Sequence, residues 1–476
     1  MIEASIFRDY DVRGTVPDKL SYDAAALVAN AFALKLFREK GRRCKVAVGR
    51  DVRPSSLELF RRTVQGLTDA GADVLDAGVC PSPVIYFTSK TTDADGYIMI
   101  TGSHNPPEYN GMKFGSDKKV YHSHLIQEIY RSILERGYIE AKEKGTLTSR
   151  NMTDEYIKWS LEHFAGLREK ISRLARRPKV VIDCGNGVAS NIAPLLFESL
   201  GAEVIPLFCE EDGTFPNHHP DPTVDKNLSD AIAAVRAHGA DFAAAYDGDA
   251  DRIVTVTNSG HIIRGDMLLA VFAQDLCRSE NNPVVIGDVK ASKALYDTLE
   301  DCGAQAVMWK AGHSMIKDRM LELNAPLAGE TSAHIFFNDR FFGFDDGIYA
   351  SLRFFEIYAD RLLSGEIENA DGLIKNFPEY INTPEIRLDF PDSEKFSFVE
   401  KIKREFESMR KTTDLIRDIN GIDGVRITFD KGWALLRASN TQPAVVLRFE
   451  ALDKETMESY ILLLEKVTGM KIVLPD

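Results

Sequence analysis

The sequence has no Cys-x-x-Cys pair, no short-range cluster of cysteine and histidine, and no low-complexity segment. Its six cysteines stand apart at 44, 80, 184, 209, 277 and 302, which excludes the usual zinc spacings and reads as reduced, mostly buried thiols. No apolar run reaches the ~18–20 residues of a membrane span, so no membrane partner is expected. The start, Met1 to Arg8, lacks the apolar core of a secretion signal, and a cytoplasmic location is expected. The sequons at Asn151 and Asn227 then read as chance. Excess positive charge is missing too: 58 Lys+Arg face 72 Asp+Glu, for a net charge of −14. That argues against non-specific nucleic-acid binding, although a local basic cleft can still hold an anionic substrate. No interface signal stands out, and a monomer is the expectation.

What is present is ample core. The 476 residues are 44% hydrophobic and 27% charged, enough for three or four domains of ~100–150 residues each. Three segments share one shape, an apolar strand followed by a polar turn and a helix start: Lys45–Ser56, Lys179–Ser190 and Pro283–Lys293. Each leads through a helix-period stretch to Gly-Ala and a second strand, which is the pattern of a β-α-β unit. The tail differs, with strands expected at 424–429, 433–437 and 444–451 and helices at 393–409 and 456–468. Charged helices are expected at 125–143 and 154–174. The expected fold is α/β, three domains sharing a mixed-sheet topology (1–152, 153–259 and 260–374) and an α+β fourth (375–476).

Four loops carry chemistry. Thr101–Pro107 follows a strand and presents Ser103 between a glycine and His104 on a loop closed by two prolines. A hydroxyl held on a stiff loop can act as nucleophile or carry a covalent group; a capped polar turn is the alternative. Asp247, Asp249 and Asp251 alternate within six residues. They lack an EF-hand's glycine at loop position 6 and glutamate at 12, where Arg252 and Asn258 stand, so three oxygen ligands with open positions point to Mg²⁺. An acidic surface turn competes, but three carboxylates this close repel one another unless a cation or Arg252 compensates. Gly329–His334 sets Glu330 among small residues, suited to paired sugar hydroxyls or to an ordinary turn. Arg437–Pro443 joins two strands with Ser439, Asn440 and Thr441 at the bend and Arg448 beyond, a phosphate cradle or a polar hairpin. Arg8, Arg13, Lys113, Lys290 and His313 fall in similar loops, giving each domain an anion-friendly segment.

In this order, these four loops closely resemble the signature loops of the α-D-phosphohexomutase family, in particular its bacterial phosphomannomutase/phosphoglucomutase members, over essentially the whole chain. The resemblance implies four domains around a central cleft. It implies that Ser103 carries a phosphoryl group, that Asp247, Asp249 and Asp251 hold Mg²⁺ with an oxygen of that phosphoserine, and that Glu330 and Ser332 grip sugar hydroxyls. Arg437, Ser439, Asn440, Thr441 and Arg448 would bind the non-reacting phosphate. His104, Lys113 and Arg252 would serve proton transfer and charge neutralisation, and Tyr10, Arg13, Lys290, His313 and His334 match cleft positions. The implied reaction interconverts hexose 1- and 6-phosphates of mannose or glucose through a 1,6-bisphosphosugar, with glucose 1,6-bisphosphate as activator. A phosphoglucosamine mutase and a Mg²⁺-dependent sugar phosphatase are the alternatives. Ala333, where the family often has glycine, Thr331, where it often has methionine, Ala311, where threonine is common, and Cys80-Pro-Ser-Pro, where Pro-Thr-Pro is usual, depart from the pattern; none touches a core chemical group.

Overall fold

The computed structural model describes residues 2–117, 119–439 and 443–474. Its strands form four sheets. The first contains β1 (Val12–Thr15), β2 (Lys45–Arg50), β3 (Asp73–Val79), β4 (Gly96–Ile100), β5 (Tyr109–Ser116) and β6 (Leu147–Ser149), in the order β1-β5-β4-β2-β3-β6. The second contains β7 (Lys179–Asp183), β8 (Glu203–Leu207), β9 (Phe242–Tyr246), β10 (Ile253–Thr257) and β11 (Ile262–Ile263), in the order β11-β10-β9-β7-β8. The third contains β12 (Val284–Asp288), β13 (Gln305–Trp309), β14 (Leu327–Gly329) and β15 (Ile335–Phe337), in the order β13-β12-β14-β15.

One plan underlies all three. Three parallel strands, β3-β2-β4, β8-β7-β9 or β13-β12-β14, are followed by an antiparallel partner of the last: β5, β10 or β15. The loop at that reversal is the Ser103 loop in the first sheet, the triple-aspartate loop in the second and the Glu330 loop in the third. Equivalent topology thus puts the three loops at equivalent places, the carboxyl ends of parallel strands where α/β folds bind ligands. Each contains a non-glycine residue with positive φ: Ser103 (49°), Ala250 (59°) and Ala333 (72°). The last explains why glycine suits position 333, since an L-residue there costs roughly 1 kcal/mol.

The first three sheets share one continuous hydrophobic core, running from Tyr86 and Tyr97 through Phe197 and Phe242 to Phe354 and Phe355. The fourth sheet, β16 (Ile381–Asn382), β17 (Ile386–Asp389), β18 (Ile416–Asn420), β19 (Val425–Phe429), β20 (Gly432–Ala438) and β21 (Ala444–Ala451), has its own core under the helices Lys395–Arg410 and Lys454–Thr468. A small apolar contact of Trp433 and Leu435 with Val289 ties it to the third sheet. The tail therefore packs on the three-sheet body through a small apolar seat.

Local details correct several expectations. The helix expected over 125–143 stops at Arg136, before Gly137 with φ +63°, and the one expected over 154–174 breaks at Phe164 into Met152–His163 and Ala165–Ser172. The helix expected from Ser393 starts at Lys395, with no side-chain cap. Strand β11 carries the second sheet past residue 259. Among the described residues, no helix is long and apolar enough to cross a membrane.

Candidate active site

The Ser103 loop is built around a residue outside the four signature loops. Arg53 is buried and donates to the carbonyls of Ser103 (2.7 Å), Asn105 (2.6 Å), Pro106 (2.5 Å) and Tyr109 (3.0 Å), and to Asp51 (3.1 Å). Thr101 Oγ1 accepts from Ser103 N at 2.8 Å. These bonds hold Ser103 in its left-handed conformation, a strain sustained only when the surroundings over-determine it. Glycine is required at 102, because a Cβ would lie 2.6 Å from the Arg53 guanidinium. The signal was present, an arginine in a β-α turn, but nothing local distinguished it from a surface cation.

The Ser103 hydroxyl donates to Asp247 Oδ2 (3.1 Å) and lies 3.2 Å from His104 Nδ1. Asp247, Asp249 and Asp251 are fully buried, with ligand oxygens within 4.8 Å of one another. Gly248 lets the two loops touch: a Cβ there would lie 2.6 Å from Ser103 O. Lys113 Nζ sits 2.6 Å from both Asp249 and Asp251, and Arg252 Nε donates to Asp247 at 2.9 Å. Two carboxylate oxygens, Asp249 Oδ1 and Asp251 Oδ1, have no hydrogen-bond partner. Burial pushes the Asp247 carboxyl up to about 7 against the pull of Arg252. Burial works the same way on Asp251, but Lys113 and His334 outweigh it and hold that carboxyl well below the usual range. Burial would lower the Lys113 ammonium, yet Asp249 and Asp251 raise it above its ordinary value. Burial and Arg252 push His104 down to about 2, so its imidazole is neutral at neutral pH. An all-oxygen donor set of three carboxylates, two of whose oxygens have no hydrogen-bond partner, fits a hard divalent cation.

Facing this cluster is the Glu330 loop. Glu330 Oε1 accepts from Gly312 N at 2.5 Å, while Oε2 is buried without a partner. Burial raises its carboxyl to about 7. His334 Nδ1 lies 2.9 Å from Asp345 and 3.6 Å from Asp251, and its backbone bridges Arg252, so the second and third sheets meet here. Asp345 also contacts Lys317 (2.5 Å) and lies 3.6 Å from His313; its carboxylate faces both histidines and lies in none of the signature loops. Tyr10 donates to Ala311 O at 3.2 Å, and Gly312 gives its ring room. Arg13 pairs with Asp11 and donates to Asn105 at 3.3 Å.

Many of these groups line one cavity of about 480 Å³, to which all four sheets' units contribute, while Asp247, Asp249 and Asp251 lie fully buried behind its Ser103, Lys113 and Arg252 lining. It gathers Tyr10, Arg13, Ser103, His104, Lys113 and Arg252 with Lys290, His313, Glu330, Ser332 and His334, and from the tail Arg437 and Ser439. Glu385 and Arg387 of the tail, and Asp9 and Asp11, join the lining without having been singled out from the sequence. Asn440 and Thr441 lie outside the described residues. Arg448 does not line the cavity: it sits two residues beyond the lining Val446 on β21, its guanidinium 5.9 Å from the Trp433 ring and 3.5 Å from Asn382 Oδ1. An acidic chain thus encloses a cleft rich in Arg, Lys and His, as an anionic ligand requires.

Known proteins share this arrangement. Family models described as phosphoglucomutase/phosphomannomutase alpha/beta/alpha domains I, II and III match residues 4–139, 155–260 and 264–373, and the model of the C-terminal domain matches 385–462. A phosphomannomutase/phosphoglucomutase of Pseudomonas aeruginosa is 43% identical over 96% of this chain and 94% of its own. A phosphoglucomutase of Neisseria meningitidis is 41% identical over 96% and 95%. The crystal structure of a phosphoglucomutase/phosphomannomutase family protein from Burkholderia thailandensis superposes with a TM-score of 0.88 at 36% identity, covering all of both chains. With four domain models matched in order and relatives aligned almost end to end, the chain belongs to the phosphoglucomutase/phosphomannomutase family of enzymes.

Proposed function

We propose that the enzyme interconverts hexose 1-phosphates and hexose 6-phosphates, of mannose, glucose or both, by passing a phosphoryl group through Ser103. The observation that carries this reading is the placement of the Ser103 hydroxyl against Asp247, within a cleft whose far side offers Arg437 and Ser439. Phosphoryl transfer asks mainly for alignment and charge neutralisation, and both are built in. Asp247, Asp249 and Asp251 would hold Mg²⁺, which supplies charge neutralisation at the transferring phosphoryl oxygens. Lys113 and Arg252 would offset further charge on the serine phosphate, and the neutral His104 imidazole, 3.2 Å from the Ser103 hydroxyl, would orient that oxygen by a hydrogen bond. Glu330, with one oxygen fixed by Gly312 and one free, would accept sugar hydroxyls, helped by Ser332, His313 and His334. Arg437 and Ser439, joined by Asn440 and Thr441, would hold the phosphate that does not react, with Tyr10, Arg13 and Lys290 along the cleft. A phosphate leaves Ser103 for a sugar 1-phosphate, giving a 1,6-bisphosphosugar; after reorientation the other phosphate returns to Ser103, and sugar 6-phosphate departs. Glucose 1,6-bisphosphate would prime a dephosphorylated Ser103. The small apolar seat of the tail suits a domain that opens for this reorientation and closes to retain the intermediate.

The test is turnover of mannose 1-phosphate, glucose 1-phosphate and glucosamine 1-phosphate side by side, with Mg²⁺ and a trace of glucose 1,6-bisphosphate, following 6-phosphate and free phosphate. Isomerisation of mannose or glucose 1-phosphate without phosphate release is expected. Phosphate release alone would make the protein a phosphatase, and exclusive turnover of the glucosamine ester would overturn the sugar assignment.

A further inference from the structure

The Glu330 loop and Lys290 belong to different β-strand ends, yet one buried carboxylate holds both. Asp288, at the end of β12 and fully buried, accepts from Lys290 N with Oδ1 (2.6 Å). Its Oδ2 accepts from Thr331 N (2.8 Å) and from Thr331 Oγ1 (2.8 Å). Thr331 directly follows Glu330, whose Oε1 is fixed from the other side by Gly312 N. The segment after Asp288 is in turn the seat of the tail. Arg426, buried beneath Trp433, donates to the carbonyls of Val289 (2.6 Å) and Ala291 (2.8 Å), and Glu450 accepts from Lys293 N (2.7 Å).

We infer that Asp288 and Thr331 are positioning residues for substrate specificity: they fix Glu330 relative to Lys290 so that sugar hydroxyls and an anionic group of a sugar phosphate are recognised at a set spacing. This rests on the reading that Glu330 and Lys290 face the substrate. Two donors from one residue onto one carboxylate oxygen constrain the loop more than a backbone bond alone, and hydrogen bonds to a charged acceptor are the strong ones. Because residues 289–293 also seat the tail, the same carboxylate joins sugar recognition to the docked position of the phosphate-binding domain. Asp288 is fully buried and does not line the cavity; it acts through its neighbours.

Thr331→Val keeps the branched shape and the backbone donor while removing Oγ1; Thr331→Ser restores the hydroxyl. Calorimetric binding of glucose 1-phosphate, with Mg²⁺ present, is expected to weaken about tenfold in the Val variant, the affinity equivalent of one hydrogen bond to a charged acceptor. KM should rise by a similar factor with kcat within about twofold, because a grip shared by ground and transition states is lost. The Ser variant should bind within about twofold of the parent and melt close to it, while the Val variant, which takes a donor from a buried carboxylate, should stay folded but melt a few degrees lower. In a Glu330→Gln background, Thr331→Val should add little, since its effect passes through Glu330. Parental affinity in the Val variant, no recovery with Ser, or full additivity with Glu330→Gln would each overturn the assignment. Parent turnover is measured alongside: a protein that binds the sugar phosphate but does not isomerise it refutes the proposed reaction, while the affinity ratios still decide the role of Thr331.

Discussion

Lys113→Met should tighten Mg²⁺ binding while abolishing most turnover. The ammonium sits 2.6 Å from a carboxylate oxygen of both Asp249 and Asp251, in a buried site where all three aspartates are fully enclosed. A cation bound by the same carboxylates must be accommodated beside that positive charge. Two unit charges 4 Å apart interact by about 4 kcal/mol at an effective dielectric of 20. If relaxation of the long side chain removes most of this, a residual repulsion of about 1.5–3 kcal/mol still corresponds to a tenfold to hundredfold change in affinity. Met preserves the buried stem and removes only the charge. In the metal-free variant two buried carboxylates, Asp249 and Asp251, lose their paired ammonium, and breaking such buried pairs costs about 3–5 kcal/mol. Its melting temperature should therefore fall without Mg²⁺ and recover with it. Turnover should drop about 10²–10³-fold, the usual effect of removing one group that stabilises developing charge. Calorimetric Mg²⁺ titration at fixed ionic strength reads the affinity directly. An unchanged or weakened Mg²⁺ affinity in a folded Lys113→Met protein would refute the reasoning.

Ser103→Ala should lose nearly all mutase activity while its melting temperature stays close to the parent's, because the loop is held through backbone bonds to Arg53 rather than through the hydroxyl. Asp346, buried at the start of the helix Gly347–Leu363, has its carboxyl raised by burial from 3.8 to about 7. A raised folded value contributes stability that is fully present below 3.8 and is lost as pH rises through about 7, a span worth about 4 kcal/mol. Asp346→Asn, which keeps a capping side chain, should remove that part of the fall in melting temperature between pH 5 and 8; an identical pH profile would count against it. Glu330, raised to about 7 by burial, is a full acceptor of sugar hydroxyls at its free oxygen only when ionised, so kcat/KM should decline as pH falls through about 7. Glu330→Gln should flatten that limb and weaken substrate binding, read from a pH–rate series against the parent.

The architecture was largely legible because its strongest signals are local. Apolar β-strands ending in Gly-Arg-Asp, Asp-Cys-Gly and Gly-Asp-Val mark the first strand of each three-strand parallel unit, and the reversal loops carry their chemistry in consecutive residues. The order in which strands pair is not local, and neither are the groups that hold the loops in place. Arg53 reaches Ser103 from fifty residues away, Asp345 turns back onto His334 across a loop, and no spacing rule connects either pair. The lining groups Glu385 and Arg387 were hidden for a related reason: β17 is short and pairs with β21, some sixty residues later in the chain. Helix ends missed by several residues where a tertiary turn overrode an amphipathic pattern, as at Gly137 and Phe164. Arg448 shows the limit of reading a strand as a continuation of its loop: Val446 lines the cavity, while the Arg448 guanidinium lies by Trp433 and Asn382.

The most direct measurement is transfer of label from phosphate-labelled glucose 1,6-bisphosphate to the protein in the presence of Mg²⁺, followed by peptide mapping and a chase with unlabelled glucose 1-phosphate. Label should appear on the peptide containing Ser103, leave it for sugar bisphosphate during the chase, and be absent from Ser103→Ala. Label at another residue, or full isomerisation by a protein that never carries phosphate on Ser103, would contradict a reaction that runs through that serine.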